Sequence, residues 1–196
     1  LKGSIVFRGL FFMPYITSMV AVALVWQWIF STRYGLLNQG LRSLGVSSPP
    51  SWLGDPDYSL VALVIVSVWQ AAGFQMLLFL AGLQNVDTSV QDAARVDGAN
   101  RWQVFQHVTL PLLSPVTFFV LIVSIIASSQ TFEATYALTG GGPQRSSTTL
   151  AYYIYQNAFV FFRMGYASAL AYVLLLLVGT VAIVNFLLRR RWVHYG

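Results

Sequence analysis

The sequence predicts an all-α integral membrane protein, a polytopic bundle of four spanning helices. Three observations lead there. Of 196 residues, 57% are hydrophobic and 9% charged, whereas a soluble domain carries about 25% charged residues. Four stretches, set at about 9–30, 58–83, 108–132 and 166–188, contain no charged residue, and each has roughly the 20 residues that a bilayer core demands of a helix. Backbone amides cannot stay unpaired in hydrocarbon, so each stretch must close its hydrogen bonds within itself. A soluble fold would have to hide all four runs in one core. A β-barrel would alternate along short strands, and "VLLLLVGTVAIVNFLL", residues 173–188, does not.

The chain, 1–196, is thus read as a single transmembrane domain. It opens with Leu1 and shows no signal-peptide pattern, so the expectation is a chain whose earlier part is missing. With no cysteine, disulfides and thiolate metal sites are excluded. Four spans put both ends on one side. That side holds Lys2, Arg8, Arg95, Arg101, Arg189, Arg190 and Arg191, and the other holds Arg33, Arg42, Arg145 and Arg163. The excess of basic residues places both ends in the cytoplasm. "RRRWVHYG" at the end reads as a topology anchor that meets anionic lipid, not as a nucleic-acid site. Trp26, Trp28, Trp52 and Trp192 fit an aromatic belt at the interfaces.

The loops follow in order. The first extracytoplasmic loop, 31–57, reads as a short helix from Gly35 to Leu44 and then a turn region ruled by proline. The second, 135–163, carries "LTGGGPQRSST", whose glycines and proline stop the third span. It lacks the Gly-Lys-Ser/Thr ending of a phosphate loop. "TTLAYYIYQNAFVFF", 148–162, is aromatic and uncharged but short for a span, and reads as an interfacial helix.

The cytoplasmic loop, 84–109, is the polar exception. Thr88 with Gln91 fits a capping box, and Asp87 adds negative charge at the positive helix end. A helix then runs from Ser89 to about Asp97, and Gly98 supplies the left-handed stop. Asn100 with Gln103 offers a second start, for a helix from Arg101 to about Thr109 leading to Pro111, which would open the third span. Val90, Ala93, Ala94 and Val96 give the first helix a small flat apolar face, rimmed by Asp92, Arg95, Asp97 and Arg101. Trp102, Phe105 and Val108 can anchor the second. Pattern alone leaves two readings open: a knob for a groove on another protein, or an amphipathic loop resting on the inner leaflet.

"DAARVDGANRWQVFQHVTLPLLSP", residues 92–115, resembles the EAA loop of permease subunits of binding-protein-dependent ABC importers. Ala93, Ala94, Asp97, Gly98, Ala99, Phe105, Leu110, Pro111 and Pro115 match its pattern, and Asp92 stands where the family usually has Glu. "FFMPYITS", "GLLN", "FLAGLQ" and "TGGGPQRSSTTLAYYIYQNAF" resemble the carbohydrate-uptake branch, and within it the maltose-type subunit that contacts sugar. Whole members usually have two more spans upstream. The resemblance implies the type I ABC importer permease fold in a bacterial or archaeal cytoplasmic membrane. It also implies that Asp92, Ala93, Ala94, Asp97, Gly98 and Ala99 form the coupling site on a cytoplasmic ATPase. The partners it implies are a second homologous permease subunit, a dimeric ABC ATPase, an extracytoplasmic solute-binding protein and membrane lipid. No cofactor belongs to this chain; ATP and Mg would be bound by the ATPase, so the chain is not itself an enzyme.

Polar groups inside spans are costly and usually face a cavity or the bundle interior. By helical spacing Ser67, Ala71 and Phe74 share one face, and Ser124, Ser128 and Thr131 another. Together with Tyr15, these are the positions that the resemblance matches to the sugar-contacting residues of the maltose permease. The plainer account is helix packing by small hydroxyls bonded to neighbouring backbone. Glu133 is expected to pair with Arg145 or Arg163. A disaccharide or oligosaccharide is the first expectation for the solute, with glycerol-3-phosphate or a glycerophosphodiester as the alternative. A proton-coupled carrier would need acidic or histidine relays in its spans, and an intramembrane enzyme would need paired catalytic groups. Glu133, His107 and His194 supply little for either.

Overall fold

The computed structural model describes residues 4–189, and among them every regular element is a helix. In chain order these are α1 (Ser4–Ile16), α2 (Met19–Ile29), α3 (Leu36–Ser43), α4 (Pro56–Gln84), α5 (Thr88–Val96), α6 (Arg101–Val104), α7 (Leu110–Leu112), α8 (Ser114–Ser129), α9 (Leu150–Tyr155) and α10 (Met164–Leu188). Three π-helical turns, Phe105–Thr109, Thr135–Thr139 and Gln156–Val160, join or extend them. Lys2, Arg190, Arg191, Trp192 and His194 lie outside the described residues.

Two helices, α4 with 29 residues and α10 with 25, are long and apolar enough to cross a membrane. Two bent pairs bring the total to four. The first expected span is not one rod: its halves, Val6–Ile16 and Met19–Ile29, meet at 99°. The break lies where the backbone has local alternatives. Pro14 inside α1 cannot donate. The Thr17 hydroxyl bonds the Met13 carbonyl at 2.8 Å, and Ser18 turns extended at φ −54, ψ 131. The third expected span is also bent, by 62° between Arg101–Leu112 and Ser114–Ser129. Pro111 stands at the start of α7, within the first arm, and Pro115 is the second residue of α8, so both prolines fall in the first turn of a helix.

The described residues form two compact units. One takes the chain up to Gly73 together with Ser128–Leu175, and the other takes Phe74–Ala127 together with the chain from Leu176 onward. In the first unit, Met19, Val22 and Ala23 of α2, Ala62, Leu63 and Val66 of α4, and Phe30, Ala134 and Leu138 make a buried apolar cluster. Trp52 packs on Phe30 and Tyr58, and Trp26 on Phe30 and Trp69, so both rings lie against this core. α1 crosses α4 closely at Gly73: a Cβ there would land on the Phe11 carbonyl oxygen, and 2.7 Å from its carbonyl carbon. In the second unit Gly82 allows a similar approach, with Val116 Cγ2 2.6 Å from where a Cβ would sit.

Loop 31–57 folds as expected around α3, with Gly35 at its start. Its hub is Asn38, fully buried, which donates to the carbonyls of Thr32 and Pro50 and accepts from Trp52 Nε1 at 2.8 Å. Ser59 meets Ser146 at 2.7 Å, tying this region to the glycine-rich turn. There the Ser147 hydroxyl lies 2.7 Å from both Thr139 Oγ1 and the Gly142 carbonyl oxygen, and Thr148 donates to the Gly141 carbonyl. Gln27 of α2 donates to the carbonyls of Ala137 and Leu138, which the end of the neighbouring helical turn leaves without a backbone donor. Every buried side-chain polar atom among the described residues has a hydrogen-bond partner.

Candidate functional site

The polar element between α4 and α8 lies in the second unit and is built from its two caps inward. Asp87, not Thr88, is the N-cap of α5: its carboxylate accepts from the Ser89 N–H at 2.8 Å. That bond holds the Asp87 carboxyl below its usual range. The signal was legible as an acid two residues before a serine, but Thr88 with Gln91 offered a competing frame. The helix therefore covers Thr88–Val96, one residue earlier than expected at each end.

At the other end the Gly98 N–H bonds the Arg95 carbonyl at 3.1 Å, and the Ala99 N–H bonds the Ala94 carbonyl at 3.0 Å. These two bonds are a Schellman motif, which needs a left-handed residue between them, and Gly98 has φ +87. A Cβ on Gly98 would meet nothing within 4 Å. The glycine is required for its backbone angle and not for space. Two residues on, the Asn100 side chain accepts from the Gln103 N–H at 2.9 Å, and the Gln103 side chain accepts from the Asn100 N–H at 2.8 Å. This is the expected capping box, complete in both directions.

The element has no buried face of its own in α5. Ala93 is exposed, Ala94 half-buried, Val90 45% exposed and Val96 87% exposed. Asp92 and Arg95 pair at 2.8 Å along the helix. Their partnership is the one ion pair among the described residues, so the expected pairing of Glu133 with Arg145 or Arg163 is not formed. In the second helix Val104 and Thr109 are buried, while Trp102 is 68% exposed with its ring on Phe105 at 5.7 Å. A capped, exposed helix with small side chains and a charged rim can enter a groove on another protein without first unfolding.

The polar positions within spans divide between the two units. In the first, Ser67 and Ala71 are half-buried on α4, and Tyr15, 46% exposed, meets Phe12 in a tilted ring pair at 5.6 Å. Ser128 lies in the last turn of α8. Thr131 lies past the helix end, donating to the Ser128 carbonyl at 2.8 Å, and so does not continue the expected helical face of Ser124 and Ser128. In the second unit, Phe74 is half-buried on α4, and Ser124 donates to the Val120 carbonyl at 2.6 Å while accepting from Gln75 at 2.9 Å. Ser124 thus does the packing work that small hydroxyls commonly do inside spans. Arg42 also has a structural role that sequence did not reveal: its guanidinium donates to the carbonyls of Thr32 and Arg33.

Residues 2–193 match the family described as the binding-protein-dependent transport system inner membrane component. The chain is 42% identical over 197 residues to the probable ABC transporter permease protein YesP of Bacillus subtilis (strain 168), which covers 99% of this chain and 63% of that protein. It is 36% identical over 190 residues to the lactose transport system permease protein LacF of Rhizobium radiobacter, covering 95% and 63% respectively. The sn-glycerol-3-phosphate transport system permease protein UgpA of Yersinia enterocolitica is 35% identical over 198 residues, covering 100% and 66%. The chain thus spans somewhat under two thirds of the length of these relatives. In fold it resembles a chain in the crystal structure of a bacterial alginate ABC transporter in complex with an alginate pentasaccharide-bound periplasmic protein. The TM-score is 0.81 at 22% identity, over 100% of this chain and 68% of that one. With the family pattern running almost from end to end, the chain belongs to the binding-protein-dependent transport system inner membrane components.

Proposed function

We propose that the chain is part of the membrane-spanning subunit of an ATP-driven importer, and that it carries a di- or oligosaccharide inward. The observation that carries this reading is the exposed element at 88–104, sealed by Asp87, by the Gly98 motif and by the Asn100–Gln103 box. In this reading Asp92, Ala93, Ala94, Asp97, Gly98 and Ala99 dock on one subunit of a cytoplasmic ATPase dimer, which binds ATP and Mg and performs the hydrolysis. A second homologous permease subunit completes the path. An extracytoplasmic solute-binding protein meets residues 31–57 and 140–163, and both chain ends face the cytoplasm. Ser67, Ser128, Thr131 and Tyr15, with Ala71 leaving room, are the groups we assign to the solute path in the first unit, and Phe74 that in the second; Ser124, bonded to Gln75 and to the Val120 carbonyl, we assign to helix packing.

A sugar is favoured by relatives named for lactose and for arabinooligosaccharides. The second reading, a glycerol-phosphate solute, draws on UgpA at 35% identity over the whole chain. Against it, Arg42, a natural phosphate partner, is committed to backbone carbonyls. The test is uptake into proteoliposomes holding the full-length permease pair, the ATPase and the loaded binding protein. Uptake should require internal ATP and survive a proton ionophore. Uptake that persists without ATP and collapses with the proton gradient would overturn the proposal.

A further inference from the structure

We propose that Phe132, Tyr136, Tyr152, Tyr155 and Phe159, all in the first unit, form an aromatic ladder on which a sugar ring stacks as it enters the permease. This rests on the importer reading above and adds a subsite beyond the path residues. The rings are in mutual contact. Phe132 lies 5.6 Å from Tyr136, 6.1 Å from Tyr152 and 5.0 Å from Tyr155. Tyr136 and Tyr155 meet edge to face at 5.8 Å, and Tyr155 continues to Phe159 at 5.6 Å. Tyr152 is buried behind them, while Tyr136 is 54% and Phe159 61% exposed. The ladder therefore has a fixed base and two open rungs.

Its rigidity comes from Thr149. The Thr149 hydroxyl donates to the Thr131 carbonyl at 2.6 Å, lies 3.2 Å from the Thr135 hydroxyl and caps the start of α9. The segment bearing Tyr152 and Tyr155 is thereby pinned to the segment bearing Phe132 and Tyr136. Phe132 follows directly on Thr131, so the ladder ends where the assigned path begins.

The chemistry of these rungs favours a sugar as occupant. One face of a pyranose is a patch of C–H groups carrying partial positive charge, which suits the negative face of an aromatic ring. Its hydroxyls need polar neighbours at the rim, and three of the five rings carry a phenol while threonines line the base. A lipid chain gains as much from any apolar side chain, and interfacial belts hold their rings at headgroup depth without needing them stacked on one another.

The test uses the complete reconstituted transporter and counts sugar imported per ATP hydrolysed, with lactose, maltose, raffinose and arabinotriose as probes, each loaded on the binding protein. Tyr136→Leu and Phe159→Leu keep an apolar side chain and remove the ring; Tyr136→Phe keeps the ring. The ratio should fall about 3- to 10-fold in the Leu variants, the size of one lost aromatic contact, and hold in Tyr136→Phe. Because it is taken per ATP hydrolysed, the ratio does not depend on how much complex assembles. Ratios unchanged in both Leu variants, with sugar import by the wild type intact, overturn the ladder alone and leave a lipid or subunit contact. A wild type that imports none of the four sugars overturns the importer-of-sugars reading, and the ladder with it.

Discussion

Substitution at Gly98 separates two accounts of why the 88–104 element needs a glycine. In the structure the demand is angular: φ is +87 and the space where a Cβ would project is open to at least 4 Å. A non-glycine residue in the left-handed region costs roughly 1–2 kcal/mol, with Asn the most tolerant and β-branched residues the least. That cost falls on the two bonds closing α5, from Gly98 to Arg95 and from Ala99 to Ala94. A nine-residue helix has little stability of its own to set against it. A population shift of about 5- to 30-fold away from the capped form follows. The assay is ATP hydrolysis stimulated by loaded binding protein in reconstituted complexes. Activity should decline in the order Gly98→Asn, Gly98→Ala, Gly98→Val, with the alanine variant down by about 5- to 30-fold. The reasoning is refuted if loss follows side-chain volume instead, with alanine milder than asparagine, because the glycine would then be required for clearance against a partner.

Three further outcomes are expected. Gly73→Ala places a methyl on the Phe11 carbonyl and should lower thermal stability in detergent by about 1–3 kcal/mol, whereas Gly9→Ala, with nothing within 4 Å, should be neutral or slightly stabilising; equal effects would contradict the close crossing. Asn100→Ala removes the Asn100 Oδ1 acceptor for the Gln103 N–H and should cost about 0.5–2 kcal/mol, read as faster hydrogen exchange across 101–104, whereas Gln103→Glu, which keeps an acceptor for the Asn100 N–H, should stay close to wild type. The Asp87 carboxyl titrates below its usual 3.8, so its capping contribution is present above that value and lost only as pH falls through the lowered one. Coupled ATPase activity of Asp87→Asn should therefore track wild type between about pH 5 and 8; a displaced acid limb in that window would count against the assignment.

Local chemistry that a few neighbouring residues decide was legible in the sequence. Gly98, the Asn100–Gln103 box and α10 all form where spacing placed them, because each depends on contacts within one turn or on bulk apolarity. The 99° bend at Thr17–Ser18 was not legible, since an uncharged run of hydrophobic residues looks the same whether its backbone is straight or broken. Thr131 fell off its expected face for the same reason: the helical period was carried past Ser129, where α8 stops. The roles of Arg42 and Trp52 needed partners 9 to 14 residues away in a loop without periodicity. The path residues are the least readable from sequence, because a serine that lines a channel and a serine that ties two helices, as Ser124 does through Gln75, have the same signature.

The hydroxyl lattice that joins loop 31–57 to the glycine-rich turn has a consequence for where this protein can work. Its members are Asn38, Trp52, Ser59, Thr139, Ser146, Ser147 and Thr148, with Arg42 bonded to carbonyls beside them. The hydroxyl, amide and indole members have no charge to gain or lose between about pH 4 and 10, and short hydrogen bonds between neutral groups are barely screened by salt. The bonds of this lattice are therefore indifferent to the acidity and salinity of the medium that bathes them. Ionic strength acts instead on the charged rim of the second unit's polar element, where Asp92, Arg95, Asp97 and Arg101 stand exposed.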